Sequence, residues 1–259
     1  MNQDNRHTKC ERGATMQVSR SLPSPAWVLS GLAGLLLLSS CQTASHHEIY
    51  GSKPGPKGFR TVVLDAGHGG KDSGARAKGQ MEKTLTLDIA NRVRNELKGS
   101  FKVVMTRDED EFIELDERVR KANRYDDAVL LSIHFNYGPR RLGGPETYYW
   151  RVDSYSLARR LNQKLLAAAP VETGNRGLVR RRLRLTRNPE IPCVLIECGY
   201  LTNNREAALL KTTAYRDQLA KAIASAIKEQ DRLGDAGMGK LPEAIIAPPS
   251  KGSDARDRF

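Results

Sequence analysis

Two histidines, His68 and His134, are the only ones beyond residue 50, and each follows a short run of β-branched and aliphatic residues. These runs, 61–64 and 128–133, have the composition of buried strands. In a largely parallel α/β sheet the carboxyl ends of the strands meet at one edge, where ligands bind. Two imidazoles at two such ends predict a metal site, because neutral imidazole is a common zinc ligand.

A catalytic zinc site needs a third protein ligand and keeps one position for water. Glu82 is the candidate, because it begins the helix that follows the glycine-rich loop 67–79 and its side chain can reach back over the first strand. A carboxylate favoured by the helix dipole explains Glu82 equally well from spacing alone. The residues by themselves leave both interpretations open.

Glu197 is a second carboxylate in an unusual place, at the end of the apolar run 193–196. Burying an unpaired carboxylate there would be costly. Close to a metal ion it could serve as the general base for bound water. The alternative is a salt bridge to one of the many arginines.

Strand and helix patterns alternate between residues 59 and 231. Strands are predicted at 60–65, 101–106, 128–133, 147–152, 178–187 and 193–197, and helices at 82–98, 114–125, 154–168 and 203–230. This alternation predicts an α/β fold: a single domain with a mixed, mostly parallel sheet of about six strands and helices on both faces.

The first forty residues carry the pattern of an export signal. A basic, polar start precedes the apolar run 26–38, which is too short for the roughly 20 residues of a membrane-spanning helix but suits the apolar part of a signal peptide. It ends at Leu38-Ser39-Ser40-Cys41, which resembles a bacterial lipobox. We predict a lipoprotein signal at 1–40 and membrane anchoring through acylated Cys41. An ordinary signal cut near Ser40 is the alternative, and Met16 is an alternative start.

Two polar segments flank the predicted domain. Residues 41–58 read as a linker, and residues 232–259, rich in Gly, Pro, Lys and Asp, are predicted to lack fixed structure. The net charge of +12 favours anionic lipid, wall polymers or nucleic acid as neighbours. The export signal argues against nucleic acid.

Arginine and leucine alternate along the predicted strand 178–187. Arg180, Arg182 and Arg184 could line a groove and bind carboxylates, where paired guanidinium bonds are strong. An edge strand guarded by charge is the alternative. Cys193 and Cys198 lie five residues apart on one predicted strand, roughly 16 Å from each other, which excludes a disulfide between them.

Several short motifs together carry a family resemblance. They are VVLDAGHGGKDSGA at 62–75, EK at 82–83, TRD at 106–108, ERV at 117–119, SIHFN at 132–136, GPETYY at 144–149 and ECGYLTN at 197–203. In this order, from about residue 60 to 230, they resemble the zinc-dependent N-acetylmuramoyl-L-alanine amidases of the type 3 family. One departure is Ala66, where proline is usual; it affects backbone stiffness before the loop.

The resemblance implies an exported, single-zinc hydrolase that acts on peptidoglycan. Its metal ligands fall on His68, Glu82 and His134, and its catalytic glutamate falls on Glu197. The bond cleaved would be the amide between the lactyl group of N-acetylmuramic acid and L-alanine of the stem peptide. Asp65 and Asn136 would orient the ligands, although Asp65 could instead cap the following loop.

Some relatives carry an inserted helix that plugs the zinc site. Only nine residues separate His134 from Gly144 here, fewer than the dozen or so that a plug of three turns needs. We therefore expect an open site in a monomer that faces the periplasm or cell wall. The competing classes are another zinc hydrolase of wall peptides, such as a carboxypeptidase, and a non-catalytic wall-binding lipoprotein.

Overall fold

The computed structural model describes residues 53–170, 174–245 and 247–251. The predicted signal 1–40, Cys41 and most of the linker lie outside these residues, as do residues 252–259. None of the helices in the described ranges is long and apolar enough to cross a membrane.

Six strands of the described chain form the main sheet, and two very short ones form a separate hairpin. The main-sheet strands are β1 (Thr61–Ala66), β4 (Lys102–Met105), β5 (Ala128–Asn136), β6 (Glu146–Tyr149), β7 (Gly177–Arg180) and β8 (Cys193–Tyr200). The hairpin consists of β2 (Arg76–Ala77) and β3 (Gln80–Met81), which pair antiparallel. It lies between the end of β1 and the first helix along the chain.

The main sheet has the order β4-β1-β5-β8-β6-β7. All neighbours are parallel except β6 and β8. Since β1, β5 and β8 are adjacent and parallel, their carboxyl ends share one edge. This confirms the predicted mixed, mostly parallel sheet.

Helices cover both faces of the sheet. They are α1 (Glu82–Leu97), α2 (Leu115–Ala122), α3 (Tyr155–Ala168), the single turn α4 (Arg184–Arg187), α5 (Asn204–Leu210) and α6 (Thr213–Leu233). Alternate residues of β1 show the two layers, because Val62 and Leu64 pack in the core formed with α1, α3 and α6, whereas Val63 packs on the side of α2 and α4. This is the period-two pattern of a sheet buried on both faces.

The chain enters the sheet beside the end of its last helix. The Gly58 amide donates a hydrogen bond of 2.9 Å to the carbonyl of Asp231 in α6. Both residues lie at the edge of the sheet where β1 begins, opposite the edge where it ends.

The predicted strand 178–187 is only partly a strand. β7 stops at Arg180, and residues 184–187 form the turn α4. The hydroxyl of Thr186 donates to the Arg181 carbonyl at 2.6 Å and accepts the Leu183 amide at 3.0 Å. These side-chain bonds satisfy the Arg181 carbonyl and the Leu183 amide, which in a strand would bond to a neighbouring strand. The chain therefore turns away from the sheet.

The segment after residue 231 differs from the unstructured tail expected from its composition. Its first residues complete α6, and several later carbonyls accept hydrogen bonds from buried or half-buried arginines of α3, β7 and α4. These include Arg160 to Ala236 at 2.8 Å, Arg180 to Glu243 at 2.6 Å and Arg184 to Ser250 at 2.5 Å. The guanidinium groups supply the partners that a segment poor in apolar residues cannot supply for itself.

Cys193 and Cys198 of β8 are both free and both buried. Their spacing along one strand excludes a disulfide between them.

Candidate metal centre

His68 lies just beyond β1 in a strained turn. Its φ is 60°, and Gly69 and Gly70 follow with φ of 128° and 57°. A positive φ is uncommon for a residue with a Cβ and is typical of positions that the surrounding structure holds in place. The turn projects the imidazole over the carboxyl edge of the sheet.

Glu82 is the first residue of α1 and is 4% exposed. Its Oε2 accepts the Ala75 amide at 2.9 Å, and its Oε1 accepts the Phe135 amide at 3.1 Å. The carboxylate is therefore held between the hairpin and β5. Burial would raise the pKa of Glu82, but bonds to His134 and His68 and their charges hold it well below its ordinary value.

The structure brings the three predicted ligands together. His68 Nε2 and His134 Nδ1 each lie 3.0 Å from Glu82 Oε1. One ligand atom from each of the three residues lies within 4.8 Å of the others. The imidazole rings are 5.0 Å apart and nearly perpendicular.

Asp72 completes the environment of His68, a role that the sequence reasoning missed. Its Oδ2 lies 2.8 Å from His68 Nδ1, and its Oδ1 accepts the Gly74 amide at 3.0 Å. A proton on Nδ1 shared with this carboxylate leaves the lone pair of Nε2 directed at the ligand cluster. Burial opposes protonation of His68, but bonds to Glu82 and Asp72 and their charges raise its pKa.

Glu197 lies on β8 opposite His134 of β5 and opposite Glu146 of β6. Its Oε2 is enclosed and has no hydrogen-bond partner among the described residues. Burial, together with the charges of Glu82 and Glu146, raises the pKa of Glu197 well above its ordinary value. A salt bridge to an arginine, the alternative from sequence, is not among the ion pairs of the described residues.

Asp65 does not contact the ligands; it anchors the loop that carries His68. It is fully buried and accepts bonds from Thr106 at 2.6 Å, Arg118 at 2.7 Å and Ser132 at 2.6 Å. Arg118 also donates to the His68 carbonyl at 2.7 Å. The Asp65 side chain bonds to no residue of the loop 67–79 itself; it acts on the loop through Arg118.

Arg107 is a second buried clamp on this loop. It donates to the Ala66 and Gly67 carbonyls at 2.9 and 2.8 Å and to the Lys83 carbonyl at 2.9 Å. It therefore ties the end of β1 to the start of α1. The motifs at 106–108 and 117–119 belong to the family resemblance, but their spacing does not predict these bonds.

The other predicted residues lie at different distances from the centre. Asn136 lines the same cleft, donates to Glu146 Oε2 at 3.1 Å and accepts the Tyr137 amide at 2.9 Å. Arg180, Arg182 and Arg184 are not among the residues that line the cleft. Arg180 and Arg184 bond instead to carbonyls of the C-terminal segment.

A cleft of about 1080 Å³ opens over the ligand cluster. Its described lining comprises His68, Gly74, Ala75, Arg76, Glu82, His134, Phe135, Asn136, Tyr137, Gly138, Pro139, Leu195 and Glu197. Apolar walls with a few convergent polar groups are typical of a small-molecule or enzyme site. Residues 137–145, which follow β5, form a loop without a helix.

The residues present fit a catalytic zinc ion. Two imidazole nitrogens and one carboxylate form the ligand set of a zinc site with an open fourth position. The enclosed Glu197 Oε2, without a partner, needs a neighbouring donor or cation to offset its burial. Both observations are satisfied by a divalent cation at the cluster.

Comparison with known proteins identifies the family to which this ligand cluster belongs. Residues 62–229 match the profile of the family described as N-acetylmuramoyl-L-alanine amidase (Amidase_3). N-acetylmuramoyl-L-alanine amidase LytC of Bacillus subtilis is 38% identical over 169 residues, which cover 63% of this chain and 34% of LytC. The chain thus spans about a third of that relative. The endolysin of Bacillus phage SPP1 is 37% identical over 199 residues, covering 74% of this chain and 73% of the endolysin.

The fold has solved counterparts. The catalytic domain of CwlV, an N-acetylmuramoyl-L-alanine amidase from Paenibacillus polymyxa, superposes with a TM-score of 0.62 at 36% identity. The superposition covers 66% of this chain and 97% of that domain. The part of the chain that carries the ligand cluster is therefore similar to a complete catalytic domain.

Proposed function

Because the chain belongs to the N-acetylmuramoyl-L-alanine amidase family, we propose that it hydrolyses the amide between N-acetylmuramic acid and L-alanine of the peptidoglycan stem peptide. The observation that carries this proposal is the convergence of His68, Glu82 and His134 on one point beside Glu197. We assign the three converging residues as zinc ligands and Glu197 as the catalytic general base. One zinc ion per chain fits this set.

Each residue has a distinct part in the proposed hydrolysis. A zinc ion held by the three ligands would supply Lewis acidity toward the scissile carbonyl and lower the pKa of bound water. Glu197 accepts the proton of the attacking water and returns it to the leaving amine. Burial and the charges of Glu82 and Glu146 raise the pKa of Glu197 above that of a free carboxyl, which makes it a stronger base toward the water proton.

Asp72 supports this chemistry by holding His68. With Asp72 on Nδ1, the imidazole keeps one tautomer and one orientation. Asn136 lines the floor of the cleft and is fixed by its bond to Glu146, so its position is set before substrate arrives.

The test is digestion of purified peptidoglycan sacculi by the purified protein, with and without a chelator, followed by mass analysis of the released fragments. We expect free stem peptides with an L-alanine amino terminus, and none after chelation unless zinc is restored. Release of C-terminal amino acids from the peptides would instead indicate a carboxypeptidase. No release under any condition would leave a wall-binding protein without catalysis.

We also propose that the site needs no activating partner. The loop 137–145 is too short for a covering helix and contains none. The purified protein should therefore digest sacculi without an added protein. Activity that depends on a partner would overturn this part of the proposal.

Export and anchoring through Cys41 remain part of the proposal. The names of several relatives, including the probable cell wall amidase LytH of Staphylococcus aureus, refer to the cell wall, which fits action outside the cytoplasm. Radiolabelled fatty acid should be incorporated into the full chain and not into a Cys41→Ala variant. Incorporation into both would exclude this anchor.

A further inference from the structure

The cleft contains a single strongly basic side chain among its described lining residues, Arg76. We infer that Arg76 determines specificity by binding the carboxylate of the stem-peptide residue that follows L-alanine. This inference rests on the proposed amidase function and assigns the chemical form of the peptide that the cleft prefers.

The position of Arg76 is fixed relative to the metal ligands. Its neighbour Ala75 donates its amide to Glu82 Oε2 at 2.9 Å, and the Glu82 amide donates to the Ala75 carbonyl at 2.9 Å. Arg76 itself pairs with Met81, the residue immediately before Glu82. The backbone of Arg76 is thus positioned by the bonds of Ala75 to Glu82 and by its own pairing with Met81, so its side chain is the adjustable part.

The guanidinium of Arg76 is exposed and is not paired with a carboxylate among the described residues. Its hydrogen bond runs from Nη2 to the sulfur of Met81 at 3.4 Å, a weak acceptor. The arginines predicted for this task are differently placed, because Arg180 and Arg184 bond to backbone carbonyls outside the cleft. Arg76 is therefore available to an incoming anion.

Arg76 is the strongly basic group of the described lining that lies outside the ligand cluster. The charge of a zinc ion on that cluster would be offset by Glu82 and Glu197, which both line the cleft, so a peptide carboxylate finds its free cationic partner in Arg76. One residue of extended peptide spans about 3.5 Å, so a carboxylate one residue beyond L-alanine lies roughly 7 Å from the scissile amide. That distance is within the reach of a long basic side chain, which can pair with a carboxylate through two parallel bonds.

The test compares two muramyl peptides that differ only in this group, one with the free carboxylate and one with it converted to the amide. We expect Arg76→Gln to lower kcat/KM for the carboxylate substrate by about 10- to 100-fold, the effect of a lost charge-assisted hydrogen bond. The same variant should leave kcat/KM for the amidated substrate nearly unchanged. The preference of the wild type for the carboxylate form should disappear.

Lys78→Gln is the matched control. Lys78 is exposed on the same hairpin but is not among the lining residues of the cleft. It removes the same charge, so it should keep the substrate preference. An equal change in both variants would assign the effect to overall charge and overturn the inference.

A binding measurement separates this inference from the proposed chemistry. In a Glu197→Gln background, calorimetry should show tighter binding of the carboxylate peptide than of the amide, and Arg76→Gln should abolish the difference. Equal binding of the two peptides before the Arg76 change would overturn the inference. Hydrolysis of neither peptide by the wild type would instead count against the proposed function.

Discussion

The contact between Asp72 and His68 decides which imidazole nitrogen faces the cleft. Nδ1 of His68 lies 2.8 Å from Asp72, and Nε2 lies 3.0 Å from Glu82. The two nitrogens therefore have separate partners, one that holds the ring and one that shares the ligand cluster. The neutral tautomer with its proton on Nδ1 is the one that a metal ion requires here.

Replacing Asp72 by Asn should weaken zinc binding by about 10-fold or more, because the amide no longer stabilises the proton on Nδ1 as a charge does. Competition with a chromophoric chelator measures the affinity. Asp108→Asn makes the same change at an exposed carboxylate beside Arg107 and should have no effect. Equal affinities of the two variants would contradict the role of Asp72.

Glu197 is half-buried with its Oε2 enclosed, and it lies opposite His134 on the adjacent strand. Glu197→Gln should lower kcat on sacculi by about 100- to 10,000-fold, the range for loss of a general acid–base group, while bound zinc stays at one per chain. Metal analysis and product release are measured on the same preparation. Glu190→Gln makes the same change at an exposed position before β8 and should keep full activity. Full activity of Glu197→Gln would exclude the assigned role.

The two histidines of the proposed ligand set could be predicted from the residues alone. Glu82 rested on the family resemblance, and the residues that support the proposed ligands were not predicted. His68 and His134 lie at the ends of strands that their β-branched and aliphatic residues predict. In this fold class the carboxyl ends of the strands form the ligand-binding edge. Asp72 acts through a tight turn, and Arg107 and Arg118 act through long side chains that cross between elements. No periodicity encodes such contacts, because they depend on how the loop is folded.

At the level of elements, the loop after β1 must approach the ligands closely. A Cβ on Gly67 would overlap the His134 ring, and a Cβ on Gly74, whose φ is 59°, would overlap Glu82 and His68. Glycine is needed here to give room to the neighbouring side chains as well as for the backbone conformation.

Gly67→Ala should therefore displace the His134 imidazole and lower turnover by about 100-fold, as small misplacements in catalytic sites do. Zinc affinity should fall with it. Gly138→Ala is the control, because its Cβ would lie 3.4 Å from the Tyr200 ring, an ordinary contact. If Gly67→Ala retained both zinc and turnover, the packing of this loop against His134 would be unimportant.

Asp65, which holds Arg118 against the same loop, should make the stability of the fold depend on pH in the acidic range. Burial raises the pKa of Asp65, but the charge of Arg118 and the bonds from Ser132, Thr106 and Arg118 outweigh it and lower the pKa. Because the folded-state pKa lies below the unfolded value of about 3.9, the ionised group stabilises the fold above that pH. The contribution is lost as the pH falls through the folded value.

Asp65→Asn should lower the free energy of unfolding by about 3 to 5 kcal/mol at pH 7, the cost of leaving a buried partner unpaired. The deficit should shrink as the pH falls below about 4. Urea unfolding of both proteins at several pH values measures this difference. A deficit that stayed constant across that range would show that the charge of Asp65 is not the cause.

For the whole molecule, the described parts of the C-terminal segment, up to 245 and again 247–251, belong to the packed structure. Arg187 donates to the Ala247 carbonyl at 2.9 Å through Nε, and Ser250 is 1% exposed, with its amide bound to Asn188 at 2.7 Å. The segment lies along the outer strand and turn of the sheet, β7 and α4. The composition of the segment does not predict this packing, because the stabilising donors belong to arginines elsewhere in the chain.

Ending the chain at Lys240 should lower the melting temperature by about 6 to 12 °C, from three arginine–carbonyl bonds at about 1 kcal/mol each. Calorimetry measures the change. Arg187→Ala should destabilise the full chain but add little to the truncated one, because its partner is already gone. Additive effects of the two changes would contradict the coupling.

The bond between Gly58 and Asp231 fixes where the folded domain connects to whatever precedes it. That junction lies on the far side of the sheet from the cluster of His68, Glu82 and His134, with the full length of the strands between them. Attachment of the folded domain through the residues just before Gly58 would therefore leave the mouth of the cleft uncovered. Immobilisation through this end should leave insoluble substrate within reach, whereas attachment at the β2–β3 hairpin would block the mouth.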